Sequence, residues 1–312
     1  MKIKAIITSL IFGCIGFNAN SQTAEEWFQQ GTKAFESRDY EKVIACCEQA
    51  IALKPDYVDA YLNMGSAYQF GYEQYEKAIE CFQKVIELEP DAADAYFYMG
   101  DAYCGWNNQY EKAIECYEKA IELKPDDTAA YYNMGLAYQD WLLQHGKAIE
   151  CYEKAIALNP DLAYDYFRIG YAYERWGEQH EKAIECFQKA IKYNGDNAFT
   201  YYLMGNAYED WNSQHEKAIE CYEKAIELKP DYADAYNDMG LTYYDWNEQY
   251  EKAIECYKKA IEYKHDFADA YYNMGDAYEA LGDRKQAVTS MKKAAELGSY
   301  FAKAWLKENG IK

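Results

Sequence analysis

The chain has 312 residues, half of them apolar, and a formal net charge of −21 at pH 7. This composition provides enough apolar side chains for a large core. A surface that binds duplex DNA needs clustered lysine and arginine to displace counterions, so we do not expect a nucleic-acid partner.

The first 21 residues differ in kind from the rest of the chain. Lys2 and Lys4 precede an apolar run at 5–17, and small or polar residues follow it up to Ser21. This order is typical of a signal peptide, with cleavage after Ser21, and the apolar run is too short to span a bilayer as a helix. We expect an exported protein, periplasmic or secreted. The alternatives are a lipoprotein anchored through Cys14, a membrane anchor, or a buried N-terminal helix.

One block of about 35 residues recurs through almost the whole of 22–312. A glycine marks the same place in every copy: Gly31, Gly65, Gly100, Gly135, Gly170, Gly205, Gly240 and Gly275. The first interval is 34 residues and the others are 35. Self-similarity at this period indicates a helical solenoid, in which each unit packs mainly on its neighbours.

Each copy is predicted to form two amphipathic helices, which we name helix A and helix B in chain order. In the third copy, Pro90 ends the preceding helix. Asp91 is expected to cap helix A, with Asp94 three residues on in the manner of a capping box. The turn at 106–108 follows, and helix B ends before Pro125, because the residue preceding a proline leaves helical geometry.

The pattern of small and bulky residues carries a family resemblance. In the third copy, Gly100, Ala113 and Ala120 let the two helices approach each other closely, and Pro125 ends the copy. The bulky residues that fill the remaining space are Tyr96, Tyr103 and Tyr117. This set, at this spacing, resembles a tetratricopeptide repeat (TPR).

The resemblance covers about 24–301, in eight copies. They start near Ala24, Val58, Ala93, Thr128, Ala163, Ala198, Ala233 and Ala268. The resemblance implies an all-α fold. This fold is a right-handed superhelical solenoid of tandem helix-turn-helix units that fills 22–312 as one array. Residues 302–309 resemble the start of another helix A, so we expect a short C-terminal capping helix there.

Six copies depart from the family period by one extra residue in the turn between helices A and B. Five of these turns begin with tryptophan: Trp106, Trp141, Trp176, Trp211 and Trp246. One interpretation is packing on the turn or against the neighbouring copy. The other is an aromatic row along one edge of the solenoid, available to a ligand.

The sequence contains no pattern that predicts catalysis. It has no nucleophile elbow, phosphate-binding glycine loop or zinc-protease motif. His145, His180 and His215 recur 35 residues apart, at a place that other copies fill with tyrosine, so we expect them to pack. Imidazoles about 10 Å apart in stacked helices are too distant to share one zinc ion. We therefore expect no enzyme activity, no cofactor and no metal site.

In proteins that resemble this one, helix A lines a concave groove that takes a peptide or a partner's helix. In this chain the matching positions are aromatic or apolar near the middle and acidic towards both ends. The predicted partner-binding residues are Phe97, Tyr132, Leu136, Tyr164, Phe167, Arg168, Tyr171, Arg175, Phe199 and Tyr202. The alternative for this group is ordinary packing between copies.

Two of these residues are arginines, which are rare in the chain. Arg168 and Arg175 are seven residues apart, on one face of a single helix A. Each either pairs with Glu174 or a neighbouring acid, or anchors a carboxylate of a partner.

The sequence thus predicts a scaffold for protein–protein interaction, which binds a segment or helix of another protein in an aromatic groove. The alternative function is a carbohydrate-binding module of the cell envelope that uses exposed tryptophan and tyrosine faces. The oligomeric state and the partner's identity are open at this stage.

Overall fold

The structure is a computed structural model that describes residues 22–141, 143–160, 163–177, 179–211 and 213–311. The predicted signal peptide lies outside these residues, and so do the side chains of Trp141 and Tyr164. Every regular element in the described ranges is a helix. None of these helices combines the length and the apolar character that crossing a membrane requires.

The chain divides into two compact units after Pro125. The first unit holds three helix pairs, and in each pair helix A precedes helix B. Its helices are α1 (Ala24–Glu36), α2 (Tyr40–Leu53), α3 (Val58–Tyr72), α4 (Tyr75–Leu88), α5 (Ala93–Gly105) and α6 (Tyr110–Leu123).

The second unit holds five helix pairs and a final single helix. Its helices are α7 (Thr128–Leu136), α8 (His145–Leu158), α9 (Ala163–Trp176), α10 (His180–Asn194), α11 (Ala198–Asp210), α12 (His215–Leu228), α13 (Ala233–Asp245), α14 (Tyr250–Tyr263), α15 (Ala268–Ala280), α16 (Arg284–Glu296) and α17 (Tyr300–Glu308). A π-helical segment, Ala137–Trp141, continues α7. The predicted all-α class of tandem helix pairs is confirmed.

The two helices of a pair meet where the recurrent glycine of helix A faces a bulky residue of helix B. A Cβ atom on Gly100 would lie 2.7 Å from the ring of Tyr117, and one on Gly205 would lie 2.6 Å from the ring of Tyr222. Both rings are almost fully buried. The glycine is therefore needed for close approach, because real Cβ contacts are longer than this.

The turn between helices A and B depends on left-handed backbone. The predicted turn at 106–108 is present, and Asn107 and Asn108 have φ values of 52° and 57°. Asn247 and Glu248 repeat this arrangement, with φ values of 55° and 56°. Asparagine tolerates this conformation better than most residues, which explains its presence in two of the lengthened turns.

The capping box expected in the third copy is wrong. Helix α5 begins at Ala93 with Ala92 as its N-cap, and no side chain caps it. Asp91 lies one residue too early, because the amide of Ala92 first closes a turn onto the carbonyl of Glu89. Helix α7 differs, because its N-cap Asp127 accepts hydrogen bonds from the amides of Ala129 and Ala130.

The helix B tyrosines are buried together with their hydroxyl groups, and most of these groups are paired. Tyr222 donates to Asn206 Oδ1 at 2.8 Å on the facing helix A. The hydroxyl of Tyr257, which is fully buried, has no hydrogen-bond partner in the described part of the chain. Leu241 stands where its copy would need the equivalent of Asn206.

The substitutions Tyr222→Phe and Tyr257→Phe are therefore expected to change the free energy of unfolding by different amounts or in opposite directions. Losing the paired hydroxyl should lower the free energy of unfolding by about 1 kcal/mol. Losing the unpaired hydroxyl of Tyr257 should leave it unchanged or raise it, because a buried group without a partner is costly. Urea denaturation of the two variants measures this. Equal losses in both variants would contradict the assignment.

Candidate partner-binding surface

The predicted site residues of the second unit include a continuous series of rings. Phe167 on α9 lies with its ring centroid 6.4 Å from that of Tyr171 and 5.9 Å from that of Phe199 on α11. The ring of Phe199 is 6.3 Å from that of Tyr202, and Tyr202 is 5.1 Å from Tyr232. We name Tyr171, Phe167, Phe199, Tyr202 and Tyr232 the aromatic row. Sequence analysis missed Tyr232, because it lies in the loop before helix A of the next copy.

Two members of the aromatic row pack on buried rings of helix B, which we call the floor of the row. Phe167 packs on Phe187 with centroids 6.1 Å apart, and Tyr202 packs on Tyr222 at 6.2 Å. Both floor residues are almost completely buried. Phe199 is 45% exposed, whereas Phe167 and Tyr202 are half-buried. The row is thus partly core packing and partly surface, and Phe199 is its most accessible large side chain.

The remaining predicted apolar residues are placed less centrally. Tyr132 is half-buried and packs on Tyr152, with centroids 5.8 Å apart. Leu136 is half-buried at the end of α7. Phe97 belongs to the first compact unit, where it packs on Tyr117 at 6.1 Å. The side chain of Tyr164 is outside the described residues.

The two predicted arginines each face a residue of the preceding copy. Arg168 forms an ion pair with Asp140 at 3.3 Å, so a neighbouring acid pairs with it. Arg175 is exposed near His145. Burial, followed by the positive charge of Arg175, lowers the pKa of His145. Arg168 therefore forms an ion pair within the chain, whereas the guanidinium of Arg175 lies at the surface.

An acidic residue that the sequence analysis did not select supports the end of the aromatic row. Tyr202 donates to Asp238 Oδ2 at 2.7 Å, and Asn237 donates to Asp238 Oδ1 at 2.9 Å. Burial raises the pKa of Asp238, while these two hydrogen bonds lower it. Burial, and after it the charges of Asp234 and Asp238, raise the pKa of Tyr232 to about 12. This end of the row therefore has negative potential.

Two of the described tryptophans in the lengthened turns pack on neighbouring rings. Trp246 is half-buried and stacks on His215 of the preceding copy, with centroids 6.1 Å apart. Trp106 stacks on Tyr103 at 6.5 Å. Trp176 is the exception among the described tryptophans of these turns, because it is 52% exposed although it lies above Gly146. These contacts favour the packing interpretation for Trp106 and Trp246.

Comparison with known structures gives several similar folds. A crystal structure of MamA is 34% identical and has a TM-score of 0.50, with 55% of this chain and 97% of that chain covered. YrrB, described as a TPR protein with an unusual peptide-binding site, is 26% identical with a TM-score of 0.54, covering 62% and 96%. The C-terminal part of a TPR repeat-containing protein from Cytophaga hutchinsonii is 21% identical with a TM-score of 0.64, covering 79% and 96%, and shows the fold alone. A comparison with curated proteins gives no significant match.

Family models match along most of the sequence. The TPR repeat model matches residues 107–140, 144–177, 175–210, 212–245 and 247–282. Two further tetratricopeptide repeat models match residues 32–99 and 268–297. These matches, together with the helix pairs and the glycine-to-ring contacts, confirm the resemblance drawn from the sequence. The chain belongs to the tetratricopeptide repeat family.

Proposed function

We propose that this protein is a scaffold for protein–protein interaction and that it binds an extended segment or helix of a partner along the aromatic row. Its membership of the TPR family supports a binding role, and the similar protein YrrB is described as having a peptide-binding site. The observation that carries the proposal is the position of Phe199. Its ring is 45% exposed between two rings that lie on a buried floor.

Such an arrangement suits an apolar anchor of a partner. Exposed aromatic rings provide contact area at low entropic cost, and the residues that dominate binding energy are enriched in aromatics held in well-packed surroundings. The floor beneath Phe167 and Tyr202 fixes the row before binding, which reduces the ordering cost of association. An enzyme activity is not needed for this role, and the proposal implies no cofactor.

The charge around the row indicates which partners fit. In the next copy, Asp234 holds the position equivalent to Phe199. Its negative charge helps to raise the pKa of Tyr232. The whole chain carries a net charge of −21. A partner segment with apolar side chains followed by lysine or arginine would therefore be favoured, and attraction between the charges would speed its association at low salt.

Selection of random peptides displayed on phage, with the chain from Gln22 onwards as bait, tests the proposal. Peptides that bind should share an apolar anchor near a basic residue. Phe199→Ala should weaken them about 30-fold, because a dominant aromatic contact is worth about 2 kcal/mol. Tyr193→Ala is the matched control, since Tyr193 is 46% exposed on α10 and stacks on Tyr166, which is not part of the row.

Equal loss of binding in the two variants, or none in either, would contradict the proposed surface. A different result of the same experiment would support the carbohydrate-binding alternative. Envelope glycans would bind the same bait, peptides would not, and Trp176→Ala would abolish glycan binding.

We also propose that the protein is exported, on the evidence of the charged, apolar and small-residue order of residues 1–21. The N-terminal sequence of the protein purified from its native cells tests this. A start at Gln22 supports export with cleavage after Ser21, and a lipid-modified Cys14 supports the anchored alternative.

A further inference from the structure

Three potential metal ligands converge in the second unit. Glu174 lies near the end of α9, His180 begins α10, and Asp210 ends α11. One possible ligand atom from each lies within 4.8 Å of the other two. His180 Nδ1 is 3.4 Å from Glu174 Oε2, and the two side chains are only 18% and 13% exposed. Two ligand atoms that each lie about 2 Å from a tetrahedral metal ion are separated by a distance similar to the one between His180 and Glu174.

The two carboxylates of this cluster lie close enough to repel each other. Burial raises the pKa of Glu174; hydrogen bonding to His180 lowers it, and the carboxylate of Asp210 raises it again. Two carboxylates in contact, one of them largely buried, share a proton or a positive ion, because like charges at this distance repel. One imidazole and two carboxylates form a donor set that first-row divalent metal ions accept.

The neighbouring copies provide internal comparisons. One copy earlier, the three positions hold Gln139, His145 and Arg175, so a positive charge replaces Asp210 and the carboxylate of Glu174 becomes an amide. No divalent cation would bind at those positions.

One copy later, the positions hold Glu209, His215 and Asp245. There both carboxylate oxygens of Glu209 contact His215 Nδ1, at 2.9 and 3.1 Å. Thr242 also donates to Glu209, at 3.3 Å. Among the described residues, Glu174, His180 and Asp210 are the only group of three potential ligand residues whose ligand atoms converge.

We propose that Glu174, His180 and Asp210 bind a divalent first-row transition-metal ion, with Zn²⁺ as the reference ion and water in the remaining coordination positions. The sequence-based expectation of no metal compared the histidines with one another. The structure instead groups one histidine with carboxylates of its own and the next copy.

The site joins two helix pairs at an unusual junction. Helix α10 is followed by Gly195, with φ of 79°. Five other copies carry proline at this position: Pro55, Pro90, Pro125, Pro160 and Pro230. A metal ion held by α9, α10 and α11 would stabilise the native arrangement of this junction by an amount that grows with the logarithm of the free ion concentration.

Isothermal titration of Zn²⁺ into the chelator-treated mature chain (22–312) tests the proposal. We expect one site per chain, weakened at least about tenfold in His180→Gln and in Asp210→Asn, since even residues that only support ligands change metal affinity by about 10- to 100-fold. His215→Gln and Asp245→Asn, which alter the equivalent positions one copy later, are the matched controls and should bind as the unchanged chain does. Circular dichroism confirms that each variant is folded.

Two further readouts distinguish this site from other ligands. Titrated Co²⁺ should give ligand-field bands without a thiolate charge-transfer band, because the proposed ligands are one imidazole and two carboxylates. Zn²⁺ affinity should fall as the pH is lowered from 7 to 5, because protons compete with the metal ion for its imidazole and carboxylate ligands. Thiolate bands, several weak sites, or binding unchanged in His180→Gln would each overturn the proposal.

Discussion

Replacing Gly205 by alanine is expected to lower the free energy of unfolding of the second unit by about 1–3 kcal/mol, the cost of overpacking a core. This loss opposes the gain of about 1 kcal/mol that alanine has over glycine inside a helix. The added Cβ would lie 2.6 Å from Cε1 and 2.8 Å from Cδ1 of Tyr222. Tyr222 has little room to yield, because its ring is 2% exposed and its hydroxyl is bonded to Asn206.

Gly275→Ala is the matched control within the same unit. Its Cβ would meet the side chain of Met291, at 3.0 Å from Cε. Methionine is flexible and adapts to its surroundings, so this variant should lose much less stability, or none. Urea denaturation of both variants, followed by far-UV circular dichroism, measures the difference. A stability of Gly205→Ala equal to that of Gly275→Ala would show that the ring of Tyr222 relaxes easily.

The helix pairs were predictable because their determinants are local and recur in every copy. Gly100 and Tyr117 lie 17 residues apart in sequence and belong to one helix pair, so their spacing alone indicates the contact. Pro125 likewise ends a helix through its own backbone chemistry. The wrong assignment of Asp91 as a cap has the same local origin. A shift of one residue in the turn before α5 removes the side chain from capping range.

The candidate surface was predictable only where equivalent helix A positions of successive copies face the same side. Phe167 and Tyr202 hold one such position and Phe199 holds another, three residues earlier, and the structure brings the three rings together. The pairing of Arg168 with Asp140 and the contact of Tyr202 with Asp238 run between copies. The sequence specifies no register between neighbouring helices A, so these partners required coordinates.

The same reason applies to the proposed metal site. His180 is one of three recurring histidines, which are too far apart to bind one metal ion together. Its relation to Asp210 depends on how α11 lies beside α9 and α10, and no motif in the sequence expresses that. The sequence contains one indication of a difference between copies, because Arg175 holds the position of Asp210 in the preceding copy.

Deleting residues 300–312, which include α17, is expected to destabilise the end of the second unit strongly and locally. Helix α17 covers Met291 and Ala294, which are fully buried, with Trp305 and Leu306 packed beside them. Arg284 on α16 also lies 4.5 Å from the ring of Trp305. Exposing even two large apolar contacts costs about 2 kcal/mol or more, so amide exchange in α15 and α16 should accelerate about 30-fold or more.

The location of this effect is as informative as its size. In a repeat array each unit contacts mainly its neighbours, so amide exchange in α1–α4 should keep its original rate after the deletion. Tyr300→Ala provides the control, because this side chain is 77% exposed and its loss should change nothing measurable. Hydrogen exchange followed by mass spectrometry resolves these segments. If exchange rose equally in every helix, the array would unfold as one cooperative block, and α17 would stabilise the whole chain instead of covering its last repeat.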